Sequence, residues 1–248
     1  MEINCFNKIA QDYHLKRKNP WKPLERFLTE LNERGYHFKG VCVDLGCGNG
    51  RNFQLLQNTH NHVLGIDNSI EFLKIAKKNR EDPNPSLIKH PKFIHLILGD
   101  IHFLPLRENK IQNFFSIASF HHINDAKQRK KATRQIYQLI KPNGFFLITV
   151  WRRWQKKFKW YFCTERIKRI FNPLYRKKQS LAGIHEFGDK LIPWTVSWNK
   201  IKYIRFYHLF SKREIKRIIE RHFNIRQFNT LGGASGKDNF FILAQKVI

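Results

Sequence analysis

A glycine-rich turn between a predicted strand and a predicted helix constrains the fold of this chain more than any other feature. The segment Val41–Arg51 reads VCVDLGCGNGR, and its first half has the alternating apolar pattern of a short strand. Its three glycines permit positive φ angles and let the backbone approach a ligand closely. Helical spacing begins at Arg51, so the turn leads into a helix N-terminus. This order of elements is typical of a nucleotide-binding α/β domain.

The glycine spacing departs from two common nucleotide motifs. The dinucleotide fingerprint requires Gly-x-Gly-x-x-Gly, whereas here Gly50 comes one position early and Arg51 takes the sixth position. No Gly-Lys-Ser/Thr follows, so the turn is not a P-loop. Instead, Asp67 and Asp100 each come directly after one of the next two predicted strands. An acid at the tip of the second strand accepts hydrogen bonds from ribose hydroxyls.

This arrangement of glycines and strand-end acids resembles the S-adenosylmethionine site of class I methyltransferases. A tight turn with capping acids is the simpler alternative, but it does not explain why both later acids follow strands. The resemblance implies an α/β fold with a Rossmann-like, doubly wound, mostly parallel seven-stranded sheet. It also implies S-adenosylmethionine as cofactor, held by a set drawn from the turn and the two strand ends: Asp44, Gly46, Cys47, Gly48, Gly50, Asp67, Asn68, Asp100 and Ile101.

Length and composition suit one domain over residues 1–248, with enough apolar residues, 42%, for a sizeable core. No apolar run reaches the ~18 residues of a membrane span, and we expect no membrane partner. The N-terminus lacks a signal-peptide pattern. Four scattered cysteines without a C-x-x-C pair favour a reducing, cytoplasmic setting and predict no metal site.

Strands and helices are predicted to alternate through the first 150 residues. A helical lead-in over residues 1–36 is expected to be broken by Pro20 and Pro23. Alternation then stops in a basic, aromatic insert over residues 152–202 and resumes near Tyr203. The predicted strands and later helices are Val41–Leu45, His62–Ile66, Glu71–Lys78, Phe93–Leu98, Ile111–Phe120, Ala126–Ile140, Phe145–Trp151, Ser211–His222, Phe223–Asn229 and Asn239–Lys246.

The chain is strongly basic, with 46 Lys and Arg residues against 19 acids and a net charge of +27. Residues 151–248 contribute 23 basic and 6 acidic residues, so the excess lies mainly in the C-terminal part. A polyanionic partner is the usual reason for such an imbalance, and RNA or DNA is the leading candidate. A lysine-rich proteome is the alternative explanation.

Four further stretches resemble one family, the tRNA methyltransferases that esterify 5-carboxymethyluridine at the wobble position. They read FNKIAQDYHLKR, SIASFHHI, GDKLIPWT and RFYHLF, and the last two are the most specific. The resemblance extends from Phe6 to Leu243. It implies methyl transfer to the carboxymethyl group of uridine 34 in the tRNA anticodon. It also implies a heterodimer with a small zinc-binding activator protein that adds a strand at the sheet edge.

The family motifs imply roles for four acceptor-side residues: His121 or His122 beside the reactive end of the cofactor, Arg205 as a fork for the carboxylate, and Tyr13 over the cofactor or base. A carboxylate is already ionised at neutral pH, so no general base is expected. Each of these residues could also be purely structural. The insert is expected to hold phosphates through four cations: Arg152, Arg153, Lys156 and Lys157.

Two other functions remain open at this stage. A small-molecule methyltransferase, of the type that acts on quinone precursors or sterols, would explain the cofactor site but not the basic C-terminal part. A catalytically idle methyltransferase fold that binds RNA would explain the charge, but not the intact glycines and acids.

Overall fold

The computed structural model describes residues 4–56, 62–81 and 93–247, and its centre is a seven-stranded sheet. Within these residues the strands are β1 Val41–Leu45, β2 His62–Asp67, β3 Ile94–Leu98, β4 Ile111–Ile117, β5 Ile140–Trp151, β6 Asp189–Thr195, β7 Lys202–His208, β8 Asn224–Leu231 and β9 Asn239–Gln245. The large sheet has the order β3-β2-β1-β4-β5-β9-β8, with β1 to β5 parallel and β9 antiparallel to both neighbours.

Helices cover both faces of this sheet. They are α1 Asn4–Lys16, α2 Lys22–Glu33, α3 Phe53–Leu56, α4 Ile70–Glu81, α5 Ala126–Leu139, α6 Lys159–Phe171, α7 Pro173–Leu181 and α8 Lys212–Ile219. Neighbouring strand residues alternate between two apolar layers: Phe114 packs on the face covered by α5 and α8, and Phe115 on the face covered by α2. The predicted doubly wound α/β fold is therefore confirmed.

The strand order reverses between β1 and β4, because the chain first runs outward to β3 and then returns to the other side of β1. In such sheets a crevice opens at the carboxyl ends of the strands on either side of the reversal. The glycine turn follows β1, and a 3-10 turn at Phe120–His122 follows β4. Both therefore lie at this crevice.

The insertion after β5 forms a separate unit of two helices and a two-stranded antiparallel sheet, β6 and β7. Strands and helices alternate again from β7 onward, as predicted near Tyr203, but β7 pairs with β6 rather than with the large sheet. The RFYHLF stretch consequently lies on a hairpin. Helix α1 packs against both α4 and β7, so it connects this hairpin to the main domain.

Several predicted boundaries shift for local reasons. The fourth strand ends at Ile117 rather than Phe120, because Ala118 has φ 55° and turns the chain. The helix after the glycine turn begins at Phe53 rather than Arg51, and its described part is Phe53–Leu56. Pro23 lies in the first turn of α2 rather than between helices, a position that needs no backbone N–H. The predicted loop Asp82–Pro91 lies outside the described residues. No described helix is long and apolar enough to cross a membrane.

Candidate active site

The three glycines of the turn have different structural reasons for being glycine. All have positive φ, at 73° for Gly46, 55° for Gly48 and 73° for Gly50. A Cβ at Gly46 would collide with the side chain of Ser119, and one at Gly50 would lie 2.6 Å from the ring of Phe53. A Cβ at Gly48 would meet no protein atom within 4 Å. Gly48 therefore faces open space where a ligand can approach, whereas Gly46 and Gly50 are required by packing.

A cleft of about 1350 Å³ opens at the carboxyl ends of β1, β2 and β4 and is bounded on the far side by α1 and β7. Gly50 does not line it, in contrast to the predicted ligand contact, because its backbone packs behind Phe53 and Ala76. The other predicted cofactor residues all line it: Asp44, Gly46, Cys47, Gly48, Asp67, Asn68, Asp100 and Ile101.

Two buried carboxyls face the part of the cleft next to the glycine turn. Asp67 accepts hydrogen bonds from the backbone N–H groups of Gly48 at 2.8 Å and Ser69 at 2.9 Å, which fixes the turn against β2. Burial raises the pKa of Asp67 even though these amides oppose the shift. Burial, reinforced by the charge of Asp67, raises the pKa of Asp44 to about 7. Within the described residues, Asp44 Oδ1 has no hydrogen-bond partner.

Asp100 sits at the edge of the same region and is more exposed than the other two acids. Its Oδ1 accepts hydrogen bonds from the backbone N–H of His102 at 2.8 Å and from the ring Nδ1–H at 2.5 Å. The β3–β4 connection therefore wraps around this carboxylate, and Ile101 beside it presents an apolar side chain to the cleft. A carboxylate next to an apolar side chain suits a ligand that has a planar base with polar edges.

Two neutral histidines lie across the cleft, after β4. His122 Nδ1 donates to the carbonyl of Phe206 at 2.8 Å, which leaves Nε2 as an acceptor. Burial lowers the pKa of His122 to about 4. The pKa of His121 is well below its ordinary value, first because of burial and then because of the neighbouring cations. A neutral pair adds no positive charge beside a cationic ligand.

Arg205 is a buried cation whose charge lowers the pKa of both histidines. Its Nη1 donates to Tyr207 Oη at 2.7 Å, and its guanidinium lies 4.7 Å from the ring of Trp194 and 5.1 Å from that of Tyr207. Its Nε is buried without a hydrogen-bond partner, and no carboxylate in the described residues pairs with the guanidinium. Leaving a buried donor unpaired costs about 1–3 kcal/mol, so the geometry fits an external anion.

Sequence reasoning missed three residues that hold Arg205 in place. Trp194 Nε1 donates to Asp12 Oδ2 at 2.7 Å, and the amide of Ser197 donates to Asp12 Oδ1 at 2.8 Å. Asp12 is fully buried. Burial raises its pKa, but hydrogen bonds from Lys16, Ser197 and Trp194 outweigh this effect, so the net pKa is lowered. The specific stretches GDKLIPWT and FNKIAQDYHLKR contained Trp194 and Asp12, but no local pattern could pair residues 182 positions apart.

The predicted phosphate contacts divide into two groups. Lys156 and Lys157 are exposed and line the cleft. Arg152 is half-buried, with Nη2 donating to the carbonyl of Trp154. The prediction for Arg153 is wrong, because its side chain is buried, Nη2 pairs with Glu214 at 2.5 Å and Nε donates to the carbonyl of Leu209. Its charge is used to hold the insertion against α8.

One group in the described residues has the composition of a metal site: Glu186, His208 and Glu214. Both ring nitrogens of His208 are already occupied, Nδ1 by Asp189 and Nε2 by Glu214, each at 2.7 Å. Glu186 pairs with the buried Arg129. These contacts account for the group as an ion-pair network that anchors the hairpin.

The comparisons with known proteins agree with this geometry. A family model described as a methyltransferase domain matches residues 43–148. The tRNA (carboxymethyluridine(34)-5-O)-methyltransferase of Schizosaccharomyces pombe is 25% identical over 249 residues, covering 97% of this chain and 94% of the relative. The Arabidopsis thaliana protein of the same name is 30% identical over 146 residues, covering 59% of this chain but only 31% of the relative.

Among solved structures, a SAM-dependent methyltransferase of Methanosarcina mazei superposes with a TM-score of 0.65 at 18% identity, covering 88% of this chain and 97% of that one. Residues 43–148 match a methyltransferase domain, and the chain has the class I S-adenosylmethionine-dependent methyltransferase fold. A chain from the complex of the Haloferax volcanii Trm112 methyltransferase activator with a methyltransferase superposes with a TM-score of 0.62 at 13% identity, covering 99% and 97%. The predicted resemblance to the wobble-uridine enzymes and the predicted cofactor are both confirmed.

The described residues of this methyltransferase fit S-adenosylmethionine. The unpartnered Asp44 Oδ1 suits the ammonium of the methionine portion, and the open space beside Gly48 admits a ligand against the backbone. Asp67 retains acceptor capacity beyond its two amide hydrogen bonds. The cofactor supplies a methyl group activated on a sulfonium centre.

We expect cofactor affinity of the methyltransferase to rise with pH because of Asp44. With its pKa raised to about 7, the carboxyl is protonated in the free protein below that pH, yet pairing with an ammonium requires the carboxylate. The Kd for S-adenosylmethionine should therefore fall by roughly tenfold between pH 5.5 and pH 7, with proton release. Calorimetry in two buffers of different ionisation enthalpy measures this release. Asp44→Asn should bind more weakly and show a flat profile; an unchanged slope would contradict the assignment.

Proposed function

We propose that this methyltransferase esterifies the carboxylate of 5-carboxymethyluridine at position 34 of tRNA. The single observation that carries the proposal is the buried guanidinium of Arg205, which lines the same cleft as the glycine turn and has no carboxylate partner among the described residues. An anionic acceptor would neutralise this buried charge, whereas a neutral acceptor would leave it without a counter-charge. The names of the fission yeast and Arabidopsis relatives supply the nucleoside.

On the side of the cleft that binds the methyl donor, we assign one role to each acid. Asp67 binds the ribose hydroxyls, Asp44 pairs with the ammonium, and Asp100 with Ile101 receives the adenine. The buried position of the first two supports these roles, because desolvated carboxylates make stronger hydrogen bonds than exposed ones.

On the acceptor side, the work of the protein is orientation rather than proton transfer. A carboxylate has a pKa near 4, so it is an ionised nucleophile without a base. Arg205 holds it as a fork and fixes one oxygen in line with the methyl group. His121 and His122 stay neutral and exclude water without competing for the anion. Tyr13, which packs on Phe72 and Trp194, covers the same region.

Asp12 is expected to act through Trp194 as a positioning residue for Arg205. Asp12→Ala removes the acceptor for the Trp194 indole and the Ser197 amide, and should lower methyl transfer to tRNA by roughly tenfold, since a buried donor is left unpaired. The Kd for S-adenosylmethionine should change much less, because Asp12 does not line the cleft. Asp125→Ala, which removes the N-cap of α5, is the matched control. Equal losses in both variants would refute the positioning role.

The tRNA backbone is proposed to contact Lys156 and Lys157, together with Arg152, at the mouth of the cleft. Replacing both lysines with glutamine should weaken tRNA binding and reduce the slope of log K against log salt by about 1–2. The control is Lys177→Gln/Lys178→Gln, an equally exposed adjacent pair on α7 that does not line the cleft. Filter binding at several salt concentrations measures both. If the two double variants have the same slope, a different face holds the RNA.

A small zinc-binding activator is the proposed protein partner, seated on the β3 edge of the sheet. The two apolar side chains Leu98 and Phe103 are exposed there, and among the described residues no strand pairs with the outer side of β3. The likeness to the methyltransferase crystallised with the Haloferax volcanii activator supports a fold able to carry such a partner.

The proposed function is tested by mass spectrometry of wobble nucleosides from cells that lack this chain. Free 5-carboxymethyluridine should accumulate, and its methyl ester should disappear. An unchanged nucleoside profile would contradict the proposal and favour a small molecule as the methyl acceptor.

A further inference from the structure

Helix α6 carries a second apolar stripe on the side opposite its packed face. At about 100° per residue, Trp160, Ile167, Ile170 and Phe171 fall within an arc of about 100°. Phe162 and Glu165, which are buried, lie on the other side of the helix. The four stripe residues are 60–81% exposed, so they face solvent rather than the core.

Helix α7 extends the stripe. None of its residues is buried, and Leu174 and Leu181, seven positions apart on one helical face, are 79% and 83% exposed. The helix is held to α6 by the hydroxyl of Tyr175, which donates to the buried carboxylate of Glu165. Six large apolar side chains therefore remain uncovered across two neighbouring surface helices. A patch of this kind marks an interaction site in a monomeric protein.

The stripe is bordered by cations. Residues 156–181 contain nine Lys or Arg residues and one acid, Glu165, which is already paired with Arg169. On the α6 wheel, Lys159 and Arg166 flank the stripe on one side and Lys168 on the other. This excess of positive charge around the stripe favours an anionic partner.

The stripe is separate from the methyl-transfer site. None of its six residues lines the cleft, whereas the nearby Lys156 and Lys157 do. RNA contacts would use rings and cations, but four of the six residues are Ile or Leu, which offer no face for base stacking. A second copy of the chain would bring two clusters of like charge together.

We propose that the α6–α7 stripe, namely Trp160, Ile167, Ile170, Phe171, Leu174 and Leu181, inserts into the interfacial layer of an anionic membrane. Amphipathic helices with Trp, Phe and Leu on one side and flanking Lys or Arg lie in the membrane plane in this way. The long cationic side chains reach the lipid phosphates while the apolar ones enter the acyl boundary. This contact is peripheral, and it revises the expectation of no membrane partner without requiring a spanning helix.

Vesicle partitioning of the whole protein tests the proposal. Sedimentation is measured with vesicles of phosphatidylcholine alone and with vesicles containing 30% phosphatidylserine, a fraction of roughly physiological size. The unmodified protein should bind only the anionic vesicles and release at high salt. Ile167→Ser/Phe171→Ser/Leu174→Ser should lower the partition coefficient by roughly tenfold or more. The control Trp198→Ser/Ile201→Ser removes exposed apolar side chains between β6 and β7, away from the cleft lining, and should bind as the unmodified protein does.

Unchanged S-adenosylmethionine affinity in each variant shows that the fold is intact, so a failed partition experiment is distinguishable from an unfolded protein. The proposal is overturned if the unmodified protein does not bind anionic vesicles, or if both variants lose vesicle binding equally. It is also overturned if the triple variant keeps its vesicle binding but loses tRNA affinity or changes its oligomeric state. Either of those results would assign the stripe to RNA or to a second copy.

Discussion

Arg205→Gln is expected to leave S-adenosylmethionine binding intact and to lower kcat/KM for tRNA by roughly 10²–10⁴-fold. The side chain would provide two charge-assisted hydrogen bonds to the acceptor carboxylate, each contributing about 1.5–3 kcal/mol. Every 1.4 kcal/mol corresponds to about a tenfold change. The structural reason to place the carboxylate there is that Arg205 lines the cleft and its buried Nε has no hydrogen-bond partner among the described residues.

Two measurements separate this role from a structural one. Arg205→Lys keeps the charge but not the fork, so it should recover only part of the lost activity. The Kd for S-adenosylmethionine and the melting temperature of both variants report whether the stacking on Trp194 and Tyr207 is preserved. Turnover within threefold of the unmodified enzyme would show that Arg205 does not bind the acceptor carboxylate.

The second large effect is expected for Asp67→Ala, which should weaken cofactor binding by roughly 100-fold or more. The substitution removes the acceptor for the ribose hydroxyls and also releases the amides of Gly48 and Ser69, so the glycine turn loses its fixed position. Calorimetry gives the Kd directly. Asp67→Asn keeps one acceptor oxygen and should be intermediate.

Asp100→Ala is the matched comparison, since its carboxylate is less buried and its main partners belong to its own connection. Its effect on the Kd should be clearly smaller than that of Asp67→Ala. Equal effects would mean that burial of the acid does not set its contribution.

The half of the site that binds the methyl donor was predictable because each of its residues belongs to a short local sequence pattern. The alternating strand, the glycines and the acids after β2 and β3 each follow from a few consecutive residues, and parallel strands bring their carboxyl ends together. Gly50 was the exception. Its role depends on the ring of Phe53 and on Ala76, a contact that a glycine count cannot distinguish from a ligand contact.

The half of the site that binds the methyl acceptor was less predictable because its residues are far apart in the sequence. Arg205 was proposed from a family motif, but its support by Trp194 and Asp12 joins α1 to a hairpin more than 180 residues later. The pairing of β7 with β6 rather than with the large sheet likewise depends on tertiary packing. Arg153 was misassigned because a run of basic residues does not reveal that Glu214 lies 2.5 Å from one of them.

The most direct measurement is methyl transfer to synthetic anticodon stem-loops that differ only at position 34. With the activator present, label from S-adenosylmethionine should enter a stem-loop carrying 5-carboxymethyluridine but not one carrying uridine or the uncharged 5-carbamoylmethyluridine. This pattern follows if Arg205 selects an anionic acceptor. Transfer to all three stem-loops at similar rates, or to none while a small carboxylic acid is methylated, would contradict the account.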